Sequence, residues 1–168
     1  MLSGSCSPAT LAQLAYMRER APVFMIDPLA AVAGSPVAQE ALQWAGDRLG
    51  DDPIVFAATA PPDQVAAVQQ QLGRDRAGAL IETIMAEIAR GLVARGARRL
   101  VVAGGETAGA VVQALGVTGL RIGRQIDPGV PWTVSLGEPS LALALKSGNF
   151  GASDFFLRAF TALEEATR

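Results

Sequence analysis

The only lysine of the chain, Lys146, directly follows the apolar run Leu141-Ala142-Leu143-Ala144-Leu145 and opens the segment Lys146-Ser147-Gly148-Asn149-Phe150-Gly151. An ammonium at the end of a buried strand, followed by two glycines and a helix start, can meet an anion. Glycine lets backbone N–H groups come close, and the following helix points its positive dipole end at the same place. A second turn, Gly104-Gly105-Glu106-Thr107-Ala108-Gly109, follows the apolar strand Arg99–Ala103 in the same way. A third, Ser3-Gly4-Ser5-Cys6-Ser7, leads into a helix. Ligands of open α/β sheets bind at the carboxyl ends of strands, where such turns gather, so the three together suggest a phosphate site.

None of the turns is a standard nucleotide motif. No G-x-x-x-x-G precedes Lys146-Ser147, and Glu106 occupies the place of the second glycine of the dinucleotide fingerprint. Each also has an ordinary reading. Gly104-Gly105 can be a tight strand-to-helix turn, with Glu106 or Thr107 near the N-cap. A carboxylate at Glu106 repels an anion directly and would approach it through Mg²⁺ or contact a ribose hydroxyl. Lys146 can be a solvated surface lysine. Ser7 reads as a helix cap, leaving Ser3, Ser5 and the Gly4 amide for phosphate oxygens. Cys6 reads as a small packing residue, since no histidine or cation is near it in sequence. Trp132, Phe150, Phe155 and Phe156 read as core.

Composition excludes several classes of function. Histidine is absent, which removes Ser-His-Asp and Cys-His catalysis and the common His-based zinc sites. Cys6 has no second cysteine to pair with, as befits a reducing compartment, and a cytoplasmic location is expected. A net charge of -2 offers no footprint for nucleic acid or for an anionic membrane surface. No segment approaches the roughly 20 apolar residues of a membrane span, and no signal peptide is visible. Homodimerisation is left open.

The elements that would position these turns follow from caps and periodicity. Ser7-Pro8 opens a helix to about Arg20, and Val23–Ile26 is a strand stopped by Asp27-Pro28. Ser35-Pro36 repeats the cap-and-proline signal for a helix ending near Gly50. Pro53–Ala58 is a strand, and Pro61-Pro62-Asp63 opens a shorter helix with Val65, Val68 and Leu72 on one stripe. Leu80, Ile81, Ile84, Met85, Ile88 and Leu92 predict a helix over 76–95, capped by Gly96. A strand at 99–103 and a helix at 107–115 come next. Strands at 120–123, 132–136 and 141–145 precede a final helix from Ser153. Alternation of strands and helices predicts an α/β layered sheet, largely parallel with a mixed part, with helices on both faces. Residues 1–168 suffice for a single domain. Residues 2–7 have loop composition with no strand before them, so the chain is expected to be the C-terminal part of something longer.

Taken together, these residues carry a resemblance. Ser3-Gly4-Ser5-Cys6-Ser7, Gly104-Gly105-Glu106-Thr107-Ala108-Gly109, Leu143-Ala144-Leu145-Lys146-Ser147-Gly148-Asn149-Phe150-Gly151 and Ile126-Asp127-Pro128-Gly129-Val130-Pro131-Trp132 together resemble the C-terminal nucleotide-binding domain of the four-carbon acid sugar kinases. The resemblance spans essentially the whole chain. It implies ATP-dependent phosphorylation of tetronates and 3-oxo-tetronates, with Mg²⁺. The sugar acid, and with it the catalytic residues, would lie on an N-terminal domain that this chain lacks, so the isolated chain is expected to be inactive. ATP contacts carried over residue by residue fall on Ser3 or Ser5, on Gly104, Gly105, Glu106 and Thr107, and on Gly148 with its neighbours Lys146, Ser147, Asn149 and Gly151. The rival readings are a sensor of a phosphorylated metabolite and an interaction or effector protein. A sugar phosphate that stabilises the fold where ATP does not would mark the first, and absence of any nucleotide binding the second.

Overall fold

In a computed structural model, which describes residues 1–58 and 62–166, the chain folds around one seven-stranded sheet. The strands are β1 (Leu2–Ser3), β2 (Val23–Met25), β3 (Val55–Ala57), β4 (Arg99–Ala103), β5 (Leu120–Asp127), β6 (Val130–Ser135) and β7 (Ala142–Lys146). The helices are α1 (Pro8–Arg18), α2 (Pro28–Val32), α3 (Val37–Ala45), α4 (Pro62–Leu72), α5 (Arg74–Ala94), α6 (Gly105–Ala114) and α7 (Phe155–Ala166). Pro61, read from sequence as part of a helix start, lies outside the described residues.

The spatial order is β2-β3-β1-β4-β7-β6-β5. The five strands from β2 to β7 run parallel, and β7-β6-β5 run antiparallel, so the mixed sheet anticipated from sequence is observed. Parallel strands are buried on both faces and are therefore almost continuously apolar. Val55-Phe56-Ala57 and Leu100–Ala103 are fully buried. Alternate residues feed two cores. Leu2, Phe56 and Val102 pack under α3, α5 and α6, while Val55, Ala57, Val101, Ala103 and Ala144 pack under α1 and α7.

The chain turns to one side of β1 to build β2 and β3, and to the other side to build β4 and β7. Between β1 and β4 lies the crevice where the winding direction reverses, the usual ligand position in such sheets. The carboxyl ends of β1, β3, β4 and β7 all open at this edge.

Several expectations need correction. The start of the chain is a strand: Leu2 pairs with both Phe56 and Val102, which makes β1 the centre of the parallel block. Two residues carry no periodicity, and only their neighbours define them as sheet. Ser35 does not cap α3, whose N-cap is Pro36 with no side-chain bond. Asp27 does more than stop a strand, because its carboxylate accepts from the Leu29 amide at 2.8 Å and caps the unanticipated α2. Neither Glu106 nor Thr107 is at the cap of α6. That position belongs to Gly104, at φ 120°, and both residues lie within the first helical turn. Phe150 is 46% exposed, whereas Trp132, Phe155 and Phe156 are core as expected.

Candidate functional site

A cleft of about 1040 Å³ opens at the switch point. One half of its wall is the glycine turns: Gly4, Ser5 and Cys6 after β1, Gly104 to Thr107 after β4, and Gly148 after β7. The other half is largely apolar, with Met25, Ile26 and Leu29 beyond β2 and Val65, Val68, Ala77 and Ile81 from α4 and α5. Loops separated by more than a hundred residues thus share one cavity.

Contact between the turns explains their glycines. A Cβ on Gly4 would overlap the Thr107 side chain, and one on Gly148 would overlap the hydroxyls of Ser5 and Ser7. Backbone bonds extend the sheet into the turns: the Gly4 amide donates to Ala103 O at 3.0 Å, and the Gly104 amide to Lys146 O at 2.9 Å. The three turns are therefore held in a fixed mutual arrangement.

The donors this arrangement leaves available suit an anion. Helix α6 has no side-chain cap, and among the described residues the Gly105, Glu106 and Thr107 amides donate to nothing. They form the positive end of a ten-residue helix directed at the cleft. The charged side chains on the wall are Arg74, Asp27, Asp75, Glu82 and Glu106. No group of three or more described acidic, cysteine or histidine side chains is gathered to hold a metal.

Among the expected site residues, Ser5, Gly104, Gly105, Glu106, Thr107 and Gly148 line the cleft, and Ser3, Lys146, Ser147, Asn149 and Gly151 do not. Ser3 is wholly buried at the end of β1. Ser147 and Asn149 are exposed on the loop after β7, and Gly151 lies against the Phe155 side chain. Lys146 is neither a surface lysine nor part of the wall. It is only 1% exposed, and its Nζ donates to Thr10 Oγ1 at 3.2 Å, Ser147 O at 3.1 Å and Gly148 O at 3.1 Å. The Phe156 ring centroid lies 5.7 Å from the ammonium, a weak cation–π contact at most. Burial pushes this ammonium down to about 8. It remains mostly charged at neutral pH.

Sequence reasoning missed Thr10 and Gln13. Both are fully buried on α1, in line with Ser7. Ser7 caps α1, accepting from the Thr10 amide at 3.2 Å, and donates its own proton to Gly148 O at 2.6 Å. Thr10 Oγ1 donates to the same carbonyl at 2.8 Å. Gln13 Nε2 donates to Phe150 O, Gly151 O and Ala152 O at 2.9, 2.9 and 3.0 Å. The available signal was polar residues spaced three apart on the helix face that also carries Leu14 and Met17.

Fold and cleft together define a doubly wound α/β domain whose switch-point cleft receives the first-turn amides of α6. The chain belongs to the family described as the nucleotide-binding C-terminal domain, matched over residues 1–156. It is 57% identical over 166 residues to a 3-oxo-tetronate kinase of Burkholderia multivorans, covering 99% of this chain and 39% of that protein. Against a 3-oxo-tetronate kinase of Pseudomonas savastanoi pv. phaseolicola the identity is 54% over 167 residues, with 99% and 38% covered. The crystal structure of Haemophilus influenzae protein HI1011, of the DUF1537 family, superposes with a TM-score of 0.89 at 44% identity, covering 94% of this chain and 38% of that one. The resemblance to the C-terminal domain of four-carbon acid sugar kinases is thereby upheld. The chain spans about two fifths of the length of these relatives.

Proposed function

We propose that this chain is the ATP-binding part of a kinase acting on four-carbon sugar acids of the 3-oxo-tetronate class, the sugar acid being held by a further domain such as the relatives' additional length could supply. The observation that carries this reading is the convergence of three glycine turns on one cleft with the first-turn amides of α6 unspent. Phosphoryl transfer calls on the protein for positioning and for neutralisation of charge more than for covalent chemistry. In this reading the polyphosphate lies on Ser5, the Gly105–Thr107 amides and the loop at Gly148, and the nucleoside lies against the apolar half of the cleft. Mg²⁺ would supply charge neutralisation at the phosphates when bound, and Glu106 and Thr107 would be the residues to meet its hydration shell.

Titration calorimetry of the chain with ATP, ADP and a tetronate phosphate, each with Mg²⁺, tests the assignment. Binding of both adenine nucleotides is expected. Binding of the sugar phosphate alone would identify a metabolite sensor instead, and binding of none would remove the nucleotide site.

A further inference from the structure

The loop after β7 turns its polar groups in a consistent sense. Five of its carbonyls point into the protein: Ser147 O and Gly148 O accept from Lys146 Nζ, and Phe150 O, Gly151 O and Ala152 O accept from Gln13 Nε2. In a planar trans peptide the N–H of the next residue points the opposite way from each carbonyl. The amides of Gly148, Asn149 and Gly151 therefore face outward, and among the described residues they have no acceptor. The Ala152 amide also faces out and is taken by Asp127 Oδ2 at 3.2 Å. Of these, the Gly148 amide lies where the loop meets the cleft, and a backbone N–H left free there can receive an anion.

We propose that Lys146, Thr10 and Gln13 are positioning residues that never touch the ligand: they draw the carbonyls of loop 147–152 inward and so fix the turn at Gly148, where the loop meets the cleft, with the Gly148 amide presented to a nucleotide's phosphates. The proposal rests on the nucleotide reading above. It assigns the only lysine of the chain a role beneath the loop in place of direct contact with phosphate. Three observations support it. Nζ makes all its hydrogen bonds to Thr10 and to the loop itself. Gly148 O, the loop carbonyl at the cleft, receives donors from Ser7, Thr10 and Lys146 together. Gln13 shares its two amide hydrogens among three carbonyls while its own Oε1 stays buried with no partner. An unsatisfied buried oxygen is unfavourable in itself. Here it accompanies an orientation in which the side chain acts only as a donor to the loop.

The test is a comparison of ATP with adenosine, which lacks the phosphates, on the 168-residue chain. Lys146→Met keeps the length of the side chain and removes the ammonium. Thr10→Val keeps the shape and removes the hydroxyl, and Thr10→Ser restores it. Calorimetry for ATP and chemical-shift titration for adenosine read the two affinities, with circular dichroism confirming the fold. Lys146→Met and Thr10→Val should each weaken ATP about ten- to a hundredfold, the range for losing a charge-assisted bond, with adenosine unchanged. Thr10→Ser should bind ATP as the parent does. If Lys146→Met weakens ATP but Thr10→Val does not, Lys146 acts directly and the positioning role is overturned. If ATP and adenosine weaken together, or neither changes in the variants, it is also overturned, with the nucleotide reading intact. A parent chain that binds no adenine nucleotide overturns that reading as well.

Discussion

A single methyl group is enough to interrogate most of the glycines at the cleft. At Gly4 the methyl would occupy the space of the Thr107 side chain, so Gly4→Ala should destabilise the fold by about 1–3 kcal/mol, the range for overpacking. Urea denaturation would measure it. At Gly105 an added Cβ meets nothing within 4 Å, and the residue opens α6. Gly105→Ala should therefore leave stability unchanged or slightly raised while weakening ATP, because the methyl stands where a phosphate would approach the amide. A variant that binds ATP as the parent does would place the phosphates elsewhere. Lys146 adds a pH signature. The groups facing its ammonium are the Thr10 hydroxyl from α1, the Phe156 ring from α7 and the carbonyls of Ser147 and Gly148, none of which titrates. ATP affinity should fall as pH rises through about 8, where the ammonium gives up its proton, and the fall should be absent in Lys146→Met. Folding stability runs the other way. The unfolded chain keeps that proton to near 10.5, so it binds more protons between about 8 and 10.5, and this group's contribution to stability climbs across that window.

Helix α1 belongs to the core and to the site at once. Its lower stripe, Leu14 and Met17, packs with α7 residues on Val55, Val101 and Ala103, and Met17→Ala should lose about 2–5 kcal/mol in thermal or chemical denaturation. Its other inward residues, Thr10 and Gln13, spend their polar groups on the loop after β7. The extent of this helix was legible in sequence because Ser7-Pro8 is a strong local start signal, which the Ser7 cap bears out. What the helix holds was not legible, since Gln13 and Phe150 meet only in three dimensions. The same division applies elsewhere. The long helix read over 76–95 is α5, Arg74–Ala94, because its apolar spacing is sustained over many turns. Strand β1 was read as loop because its pairing with β3 and β4 is entirely non-local. The glycine turns could be found as motifs, and their shared cavity followed from the parallel topology. The burial of Lys146 did not, because a lone lysine after a strand looks the same in sequence whether it turns outward or in.

Across the whole molecule, the parallel block supplies the cleft and the antiparallel strands brace it from the far side. The turn joining β5 to β6 reaches the loop after β7. There Asp127 accepts from the Ala152 amide and pairs with Arg158 at 2.6 Å, and Gly129 lies against Phe150. Among the described residues, no helix is long and apolar enough to cross a membrane. The bond from Ser7 to Gly148 joins residues 141 positions apart. During synthesis, a growing polypeptide therefore cannot complete its pocket until β7 has left the ribosome tunnel and docked beside β4. The cleft would come together as a late event in biogenesis, and any nascent chain halted before that strand would lack the Gly148 turn of its wall.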